Sequence, residues 1–239
     1  GRIGLWDATT HTRLGEVPSG GLGPHDMALL PDGRTLVVAN GGIRTHPDSG
    51  RDKLNLDTMR PNLSYLDATS GALLDSVELP EDLHLNSIRH LAVARDGLVA
   101  AALQWQGAPT DSVPLLAFHR RGWTALRLAE ADVLDLAAMR GYAGSVAFDA
   151  AGRRAAITSP RGGRVMAWNV PGPKADPQPD IWYRADVCGI APRHTDREGW
   201  IATDGLGGMT ALSPALVPQA LARHRLGFDN HLIALQQSS

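Results

Sequence analysis

The sequence predicts an all-β protein, a β-propeller built from four-stranded antiparallel blades, and two observations support that prediction. One phrase recurs along the 239 residues: a short apolar strand, a tight turn and a second strand of small residues. A hairpin of alternating apolar residues separates successive copies of this phrase. Two hairpins per repeat give four antiparallel strands, which is one blade. A β-sandwich also has short strands between turns, but it would not repeat two phrases in a fixed order.

The repeated phrase sets the number of blades. It occurs five times, the last time incompletely, and its copies begin at Pro24, Ile88, Gly144, Cys188 and Asn230. We therefore expect about five blades' worth of strands in a single propeller domain over residues 1–239. The chain begins inside an outer hairpin and ends just after an inner strand. We interpret it as the N-terminally truncated part of a longer protein with seven blades.

Two segments depart from the strand pattern. Residues 129–140 place apolar side chains at helical spacing, with acids early and an arginine late, which predicts a short surface helix. Residues 40–62 form a long polar segment, and long loops in compact domains are more often functional than short connections are. We expect this loop to lie over one mouth of the propeller channel.

Composition argues against several classes of partner. The 23 basic and 25 acidic residues are interspersed and give a net charge of -2, so nucleic acid is not an expected partner. No apolar run approaches the roughly 20 residues that a membrane-spanning helix needs. The lone Cys188 cannot form an internal disulfide, which fits several compartments.

Polar residues concentrate on one predicted face of the propeller. The innermost strand of a blade begins at the face where the second strand ends, so both sets of residues meet at one channel mouth. The loop over residues 40–62 leaves from the same face. The residues predicted to bind a ligand or partner are His25, Asp26, Asn40, Arg44, His46, Asn55, Asp57, Arg60, Arg89, His90, Trp105, Arg161, Asp204 and His231.

The arginines of this set suggest an anionic ligand or a protein partner. Guanidinium groups bind carboxylates and phosphates with two parallel hydrogen bonds, and Arg44, Arg60, Arg89 and Arg161 could act in this way. The competing interpretation is that they pair with aspartates of the same face, such as Asp57. The sequence is compatible with both.

The histidines suggest a second kind of site. His25, His90 and His231, with Asp26 or Asp57, are candidate ligands for a divalent metal, since imidazole and carboxylate suit zinc, iron or copper. No two of them have a diagnostic local spacing such as His-x-x-x-His. The competing interpretation is that inner-strand histidines form hydrogen bonds between blades. Apart from this possible metal, the sequence predicts no cofactor.

Catalytic signatures are weak. Ser145 and Ser159 lack a Gly-x-Ser-x-Gly elbow, and Cys188 lies on an inner strand, where a buried and inert thiol is the common case. There is no Cys-x-x-Cys-His haem-attachment motif. These observations favour a binding protein over an enzyme, and they leave open an enzyme that uses a metal.

Several segments closely resemble the bacterial family called DUF1513, and the resemblance covers nearly the whole chain. The segments are residues 23–26, 30–43, 45–47, 53–61, 87–91 and 159–163. The resemblance implies a propeller related to the quinoprotein amine dehydrogenase β-chain group. It also implies an exported, periplasmic protein, because family members commonly have a twin-arginine-type leader. Family genes often lie near imelysin-like and di-haem peroxidase-like genes, which suggests a link to iron acquisition.

Three functional hypotheses follow. The leading one is a periplasmic binding or scaffolding propeller that recognises a partner protein or a small anionic ligand at the channel mouth. The alternative is a metal-dependent hydrolase or lactonase-like enzyme with a His and carboxylate site at the same mouth. The third is an accessory subunit of an iron or electron-transfer system, which rests on family context alone.

Overall fold

The computed structural model describes residues 1–45, 48, 52–170, 178–193 and 198–234. The strands of these ranges form five antiparallel sheets in chain order, one with two strands and four with four strands each. The all-β prediction and the four-stranded repeat are confirmed. The only α-helix described in these ranges has six residues, and no helix in them is long and apolar enough to cross a bilayer.

The first three sheets hold strands β1 to β10. Sheet 1 pairs β1 (Arg2–Trp6) with β2 (Arg13–Pro18). Sheet 2 contains β3 (Pro24–Leu29), β4 (Thr35–Asn40), β5 (Asn62–Asp67) and β6 (Leu73–Glu78). Sheet 3 contains β7 (Asn86–Val93), β8 (Val99–Trp105), β9 (Leu116–His119) and β10 (Arg127–Leu128).

The last two sheets hold the remaining strands. Sheet 4 contains β11 (Ser145–Phe148), β12 (Arg154–Ser159), β13 (Arg164–Asn169) and β14 (Asp180–Tyr183). Sheet 5 contains β15 (Val187–Pro192), β16 (Trp200–Asp204), β17 (Gly208–Leu212) and β18 (Pro218–Arg223). Helix α1 (Val133–Ala138) precedes sheet 4, and short 3₁₀ turns occupy Leu56–Thr58 and Glu81–Leu83.

The inner strands β3, β7, β11 and β15 contact one another in that order, so the sheets are arranged as successive blades. A middle strand of such a blade is covered on both faces and becomes continuously apolar. In β8, Ala100, Ala101 and Ala102 are fully buried, and their small side chains let neighbouring sheets approach closely. The main core runs through sheets 2, 3 and 4, and a second cluster joins sheet 4 to sheet 5.

The turn between the first two strands of a blade depends on its Asp-Gly pair. In sheet 2, Gly33 has φ +68°, a conformation that side chains rarely adopt. The Asp32 carboxylate accepts hydrogen bonds from Arg34 N at 2.8 Å and Thr35 N at 2.9 Å. These contacts fix the turn, and therefore the register in which β3 and β4 pair.

Three segments differ in detail from the sequence-based expectations. The segment 129–140 contains a helix only over Val133–Ala138, which begins after its N-cap Asp132. The loop between Asn40 and Asn62 contains the 3₁₀ turn Leu56–Thr58, and residues 46, 47 and 49–51 of the loop lie outside the described residues. The fifth copy of the phrase forms no strand over residues 229–234.

Candidate functional site

Four side chains from three parts of the chain meet at the channel mouth. We call His25, Arg89, His90 and His231 the mouth cluster. The His25 and His90 ring centroids are 5.0 Å apart, those of His90 and His231 are 4.9 Å apart, and both pairs pack edge to face. His25 is the second residue of strand β3 and His90 lies on β7, which are neighbouring inner strands, whereas His231 comes from the segment after sheet 5.

The arginine of the cluster fixes the protonation state of one imidazole. Arg89 Nη1 lies 3.2 Å from His25 Nδ1. A guanidinium has only donors, so His25 Nδ1 must accept this hydrogen bond and cannot carry a proton. His25 is therefore neutral in this arrangement, with its proton on Nε2.

The pKa values of two histidines fit this arrangement. Burial, with smaller contributions from Arg89 and His231, lowers the pKa of His25 to about 4. Burial and the neighbouring His25, His231 and Arg89 lower the pKa of His90 to about 3. The His90 side chain is only 6% exposed while His25 reaches solvent, so we expect His90 to resist protonation further into acid. Both imidazoles are neutral at pH 7.

Arg89 has no carboxylate partner among the described residues. Its Nε is buried without a hydrogen-bond partner, and burial lowers the pKa of its guanidinium. Within the same residues, Nη2 donates to no protein atom. The mouth cluster therefore carries a half-buried positive charge that no carboxylate of the described residues neutralises.

An aromatic side chain borders the cluster. The guanidinium carbon of Arg161 lies 4.3 Å from the centroid of the Tyr142 ring. Asn230 Nδ2 donates to Tyr142 Oη at 3.0 Å, which ties the segment carrying His231 to the same ring. Arg161 is exposed and, like Arg89, has no ion pair with a described carboxylate.

The segment that delivers His231 lies directly on the inner strands. Phe228 N donates to Asp204 O at 3.2 Å, and Cys188 Sγ lies 3.3 Å from Phe228 O. A Cβ on Gly189 would lie 3.0 Å from Leu232 Cβ, so the glycine provides the space that this segment occupies. The close approach explains how a segment with no strand of its own reaches the mouth.

Asp26 is the one acidic residue of the predicted set beside the mouth cluster. Its Oδ2 accepts from Leu91 N at 2.9 Å and its Oδ1 accepts from Met27 N at 2.8 Å. Burial raises the pKa of this carboxyl, while the two backbone bonds and His231 oppose the rise. Asp26 thus joins β3 to β7 and does not pair with Arg89.

The described residues of the loop form their own contacts. Arg44 N donates to Asn55 Oδ1 at 2.6 Å, and Asn55 Nδ2 donates to Gly42 O at 2.9 Å, so Asn55 fixes the base of the loop. His46 lies outside the described residues. No hydrogen bond, ion pair or ring contact joins the described loop residues to the mouth cluster.

Asp57 and Arg60 belong to a separate, open groove of about 940 Å³ beside the loop. Arg60 Nε lies 3.2 Å from Glu78 Oε2, in an ion pair whose arginine is 77% exposed. The groove is lined by Asp57, Thr58, Met59, Arg60, Pro61, Glu78, Leu79, Glu81, Asp82 and His84. Acidic side chains dominate this lining, so the groove repels anions and differs in character from the mouth cluster.

Two predicted site residues are committed to the scaffold of sheets 2 and 3. Asn40 is fully buried, and its Nδ2 donates to Ser64 Oγ at 3.0 Å. Trp105 Nε1 donates to Asp111 Oδ2 at 2.7 Å, and its ring packs against Gly107. Both side chains stabilise the loops around the mouth and have no contact with the cluster.

Asp204 has a similar structural role in sheet 5. Its carboxylate is 2% exposed and accepts from Arg184 Nε at 2.6 Å and from Gly208 N at 2.8 Å. These hydrogen bonds to the charged form, together with Arg184, lower the pKa of Asp204 against the opposing effect of burial. This carboxylate is already neutralised inside the protein.

Metal coordination would require three ligand atoms about 2.0–2.2 Å from one point. In the part of the chain that the structure describes, no three His, Cys, Asp or Glu side chains are arranged to hold a metal ion. His25, His90 and His231 do come together, but as a row with His90 in the middle. The divalent metal stays a prediction.

Tyr142 was not among the residues selected from the sequence. It lies between α1 and β11 and forms an isolated bridge with Gln104, so it belongs to no repeated phrase. Its position two residues before Gly144, an aligned inner-strand start, was the available signal. An aromatic residue so close to a mouth position could have been selected on that basis.

Comparison with known proteins supports the fold. The family model described as "Protein of unknown function (DUF1513)" matches residues 1–235. Dihydro-heme d1 dehydrogenase NirN in complex with DHE is similar over 94% of this chain and 41% of its own, at 15% identity and a TM-score of 0.57. Hydrazine synthase of Kuenenia stuttgartiensis is similar over 70% of this chain and 46% of its own, at 17% identity and a TM-score of 0.50.

At these identities the structural similarity shows the fold alone. The chain spans less than half the length of both solved structures. No curated protein matches the sequence.

Proposed function

We propose a binding function for this chain, which belongs to the DUF1513 family: the mouth cluster recognises a small anionic ligand and performs no chemistry on it. The proposal rests on the positive charge of Arg89, which has no counter-ion among the described residues. The neutral imidazoles of His25 and His90 beside it can donate or accept hydrogen bonds, and the His231 ring packs on the far side of His90.

An uncompensated charge of this kind reduces stability, which makes a structural role a poor explanation for Arg89. Buried guanidinium groups are normally paired, because desolvation of the charge costs free energy that only a partner offsets. Elsewhere in the fold, Arg184 is paired with Asp204 and Arg154 with Asp180. A ligand that supplies the missing negative charge would provide the same compensation at Arg89.

Similar proteins and the family supply context for this proposal. NirN, a protein of similar fold, was solved in complex with DHE, so a protein of this fold does hold a ligand. From the family resemblance we also propose a periplasmic location and a link to iron acquisition. Both can be tested by fractionation of cells that express the full-length protein and by growth of a deletion strain under iron limitation.

The binding proposal is tested by thermal-shift measurements with inorganic phosphate, sulfate, acetate and citrate at constant ionic strength. We expect at least one anion to raise the melting temperature of the wild type and to have no such effect on Arg89→Gln. Arg95→Gln is the matched control, because Arg95 is exposed on the turn at the opposite end of the same inner strand. An equal response of Arg89→Gln and the wild type would overturn the proposal.

A further inference from the structure

Sheet 1 has two strands, whereas each of the other four sheets of the described residues has four. We infer that two further β-strands bind along the free edge of β1 and over the neighbouring face of β3, and thereby complete sheet 1 as a four-stranded blade. These strands come from the polypeptide upstream of residue 1 in the full-length protein. Their binding does not depend on the anion-binding function proposed above.

Sheet 1 covers only part of sheet 2. Its Ile3 packs with Val38 of β4 and Leu66 of β5, which are the middle strands of sheet 2. On β2, Val17 lies so close to the turn between β5 and β6 that a Cβ on Gly71 would be 2.5 Å from its Cγ1. Strand β2 is therefore the outer strand of sheet 1, and the free edge of β1 faces the channel, on the side where β3 lies.

The innermost part of the same face of sheet 2 is uncovered. Met27 of β3 lies directly opposite Val38 on β4, so the two side chains share one face. Leu29 lies opposite Leu36 in the same way. Val38 and Leu36 pack against sheet 1, whereas Met27 and Leu29 are each 52% exposed. Two large apolar side chains beside a packed interface indicate a surface that a further segment covers.

In the other blades the equivalent residues are buried. Val146 of β11 and Ile190 of β15 occupy the position of Met27 in the repeated phrase, and each is buried against the preceding sheet. Strand β11 contacts β7 and β8, and β15 contacts β11 and β12. The two inner strands of one sheet thus cover the inner strand of the next. In sheet 1 the described residues provide no such strands, so β3 is open on this side.

The backbone of β1 forms the other part of the binding surface. Among the described residues β1 pairs with β2 alone, so the N–H and C=O groups of its channel-side edge have no strand partner. An edge of this kind is a template for pairing with another strand. Pairing there extends sheet 1 towards the channel and over the open face of β3.

Chain order identifies the source of the added strands. In each four-stranded sheet the strands follow one another in sequence from the inner to the outer edge. The inner neighbour of β1 therefore precedes β1 in the sequence. The innermost strand would cover Met27 and Leu29 as β7 covers β11. Because alternate residues of a strand face one side, it needs apolar side chains at every second position.

The position of the added strands is tested by photo-crosslinking in the full-length protein. Met27→p-benzoylphenylalanine places the reactive ketone on the open face, and mass spectrometry locates the crosslinked peptide. We expect a crosslink within one polypeptide to a peptide upstream of residue 1. Leu134→p-benzoylphenylalanine, at an exposed position on α1, is the control and should not form it. A crosslink from position 27 to residues 224–239, to a second copy or to another protein, or no crosslink at all, would overturn the inference.

Hydrogen exchange of the unmodified full-length protein gives a second readout. Only alternate residues of an edge strand donate to its one neighbour, so a free β1 would exchange every second amide rapidly. With a strand added, we expect all amides of residues 3–6 to be protected at least about a hundredfold. This protection should persist on about tenfold dilution, because the added strands belong to the same polypeptide. Rapid exchange at alternate amides, or protection that is lost on dilution as for a second copy, contradicts the added strands.

Discussion

Two arginines of the channel mouth differ in whether a carboxylate neutralises them. In sheet 5, Arg184 is paired with Asp204, whose carboxylate is 2% exposed and also accepts from backbone N–H groups. Between sheets 2 and 3, the one hydrogen bond of Arg89 among the described residues is to the neutral His25, and its Nε has no partner there. The blades are repeats of one unit, so the difference teaches that the charge at Arg89 is not required to build a blade. We propose that this charge is the part of the mouth that binds a ligand.

The largest expected effect comes from removing each arginine in turn. Arg184→Met leaves the Asp204 carboxylate buried without its partner and should lower the free energy of unfolding by about 2 kcal/mol, a value reduced because Arg184 is 37% exposed. Arg89→Met removes an uncompensated charge and should raise the free energy of unfolding by up to about 1 kcal/mol. Urea unfolding at pH 7.5 measures both changes, and equal losses in the two variants would refute the contrast.

Acidification should lower the stability of the protein through His25 and His90, the two neutral histidines of the mouth cluster. The pKa of His90 is about 3 and that of His25 about 4 in the folded protein, against 6.5 for the unfolded chain. Between these values the unfolded state binds more protons, so stability is full above pH 6.5 and falls as the pH decreases towards 4. The buried His90 imidazole adds a slope of up to about 1.4 kcal/mol per pH unit, and the exposed His25 adds less because solvent screens its charge.

The comparison that isolates this effect uses His90→Gln, which should flatten the loss of stability between pH 6.5 and pH 4. His84→Gln, at a histidine outside the mouth cluster, is the control and should follow the wild type. If His90→Gln and wild type lose stability in parallel, His90 is not held neutral by its surroundings.

The smallest effect is expected in the acidic groove. Arg60→Ala removes an ion pair with Glu78 in which both partners are well exposed, and such pairs contribute less than about 1 kcal/mol. The affinity for anions should not change, because Arg60 has no contact with the mouth cluster. A clear loss of anion binding in Arg60→Ala would show that the anion binds at the loop and not at the mouth cluster.

The sequence contains enough information to predict the blades and the convergence of distant residues. The repeated Asp-Gly turns set the strand register, and aligning them predicts His25 and His90 near the same mouth, where their rings are 5.0 Å apart. The alignment matches His25 with Arg89 and Asp26 with His90, and β3 lies beside β7, so these positions become neighbours. Both strands also have an irregular register there, between Pro24 and Asp26 and between Ile88 and His90.

Which polar residues are paired within the fold, and which are not, could not be predicted in this way. Asn40 and Asp204 follow the same pattern as His25, yet their side chains turn inward to partners that no local spacing reveals, Ser64 and Arg184. Tyr142 was missed because it lies outside the repeat. Tertiary contacts between strands and blades decide whether a polar side chain has a partner inside the protein. Only these contacts distinguish a structural residue such as Asp204 from Arg89.

The most direct test of the central claim is a calorimetric titration of citrate into the wild type, Arg89→Gln and Arg95→Gln at pH 7.5. Anion recognition by the mouth cluster predicts one citrate per chain for the wild type and Arg95→Gln, and no measurable binding for Arg89→Gln. Binding of citrate to Arg89→Gln with wild-type affinity, or its absence from the wild type together with the absence of every smaller anion, would contradict the account.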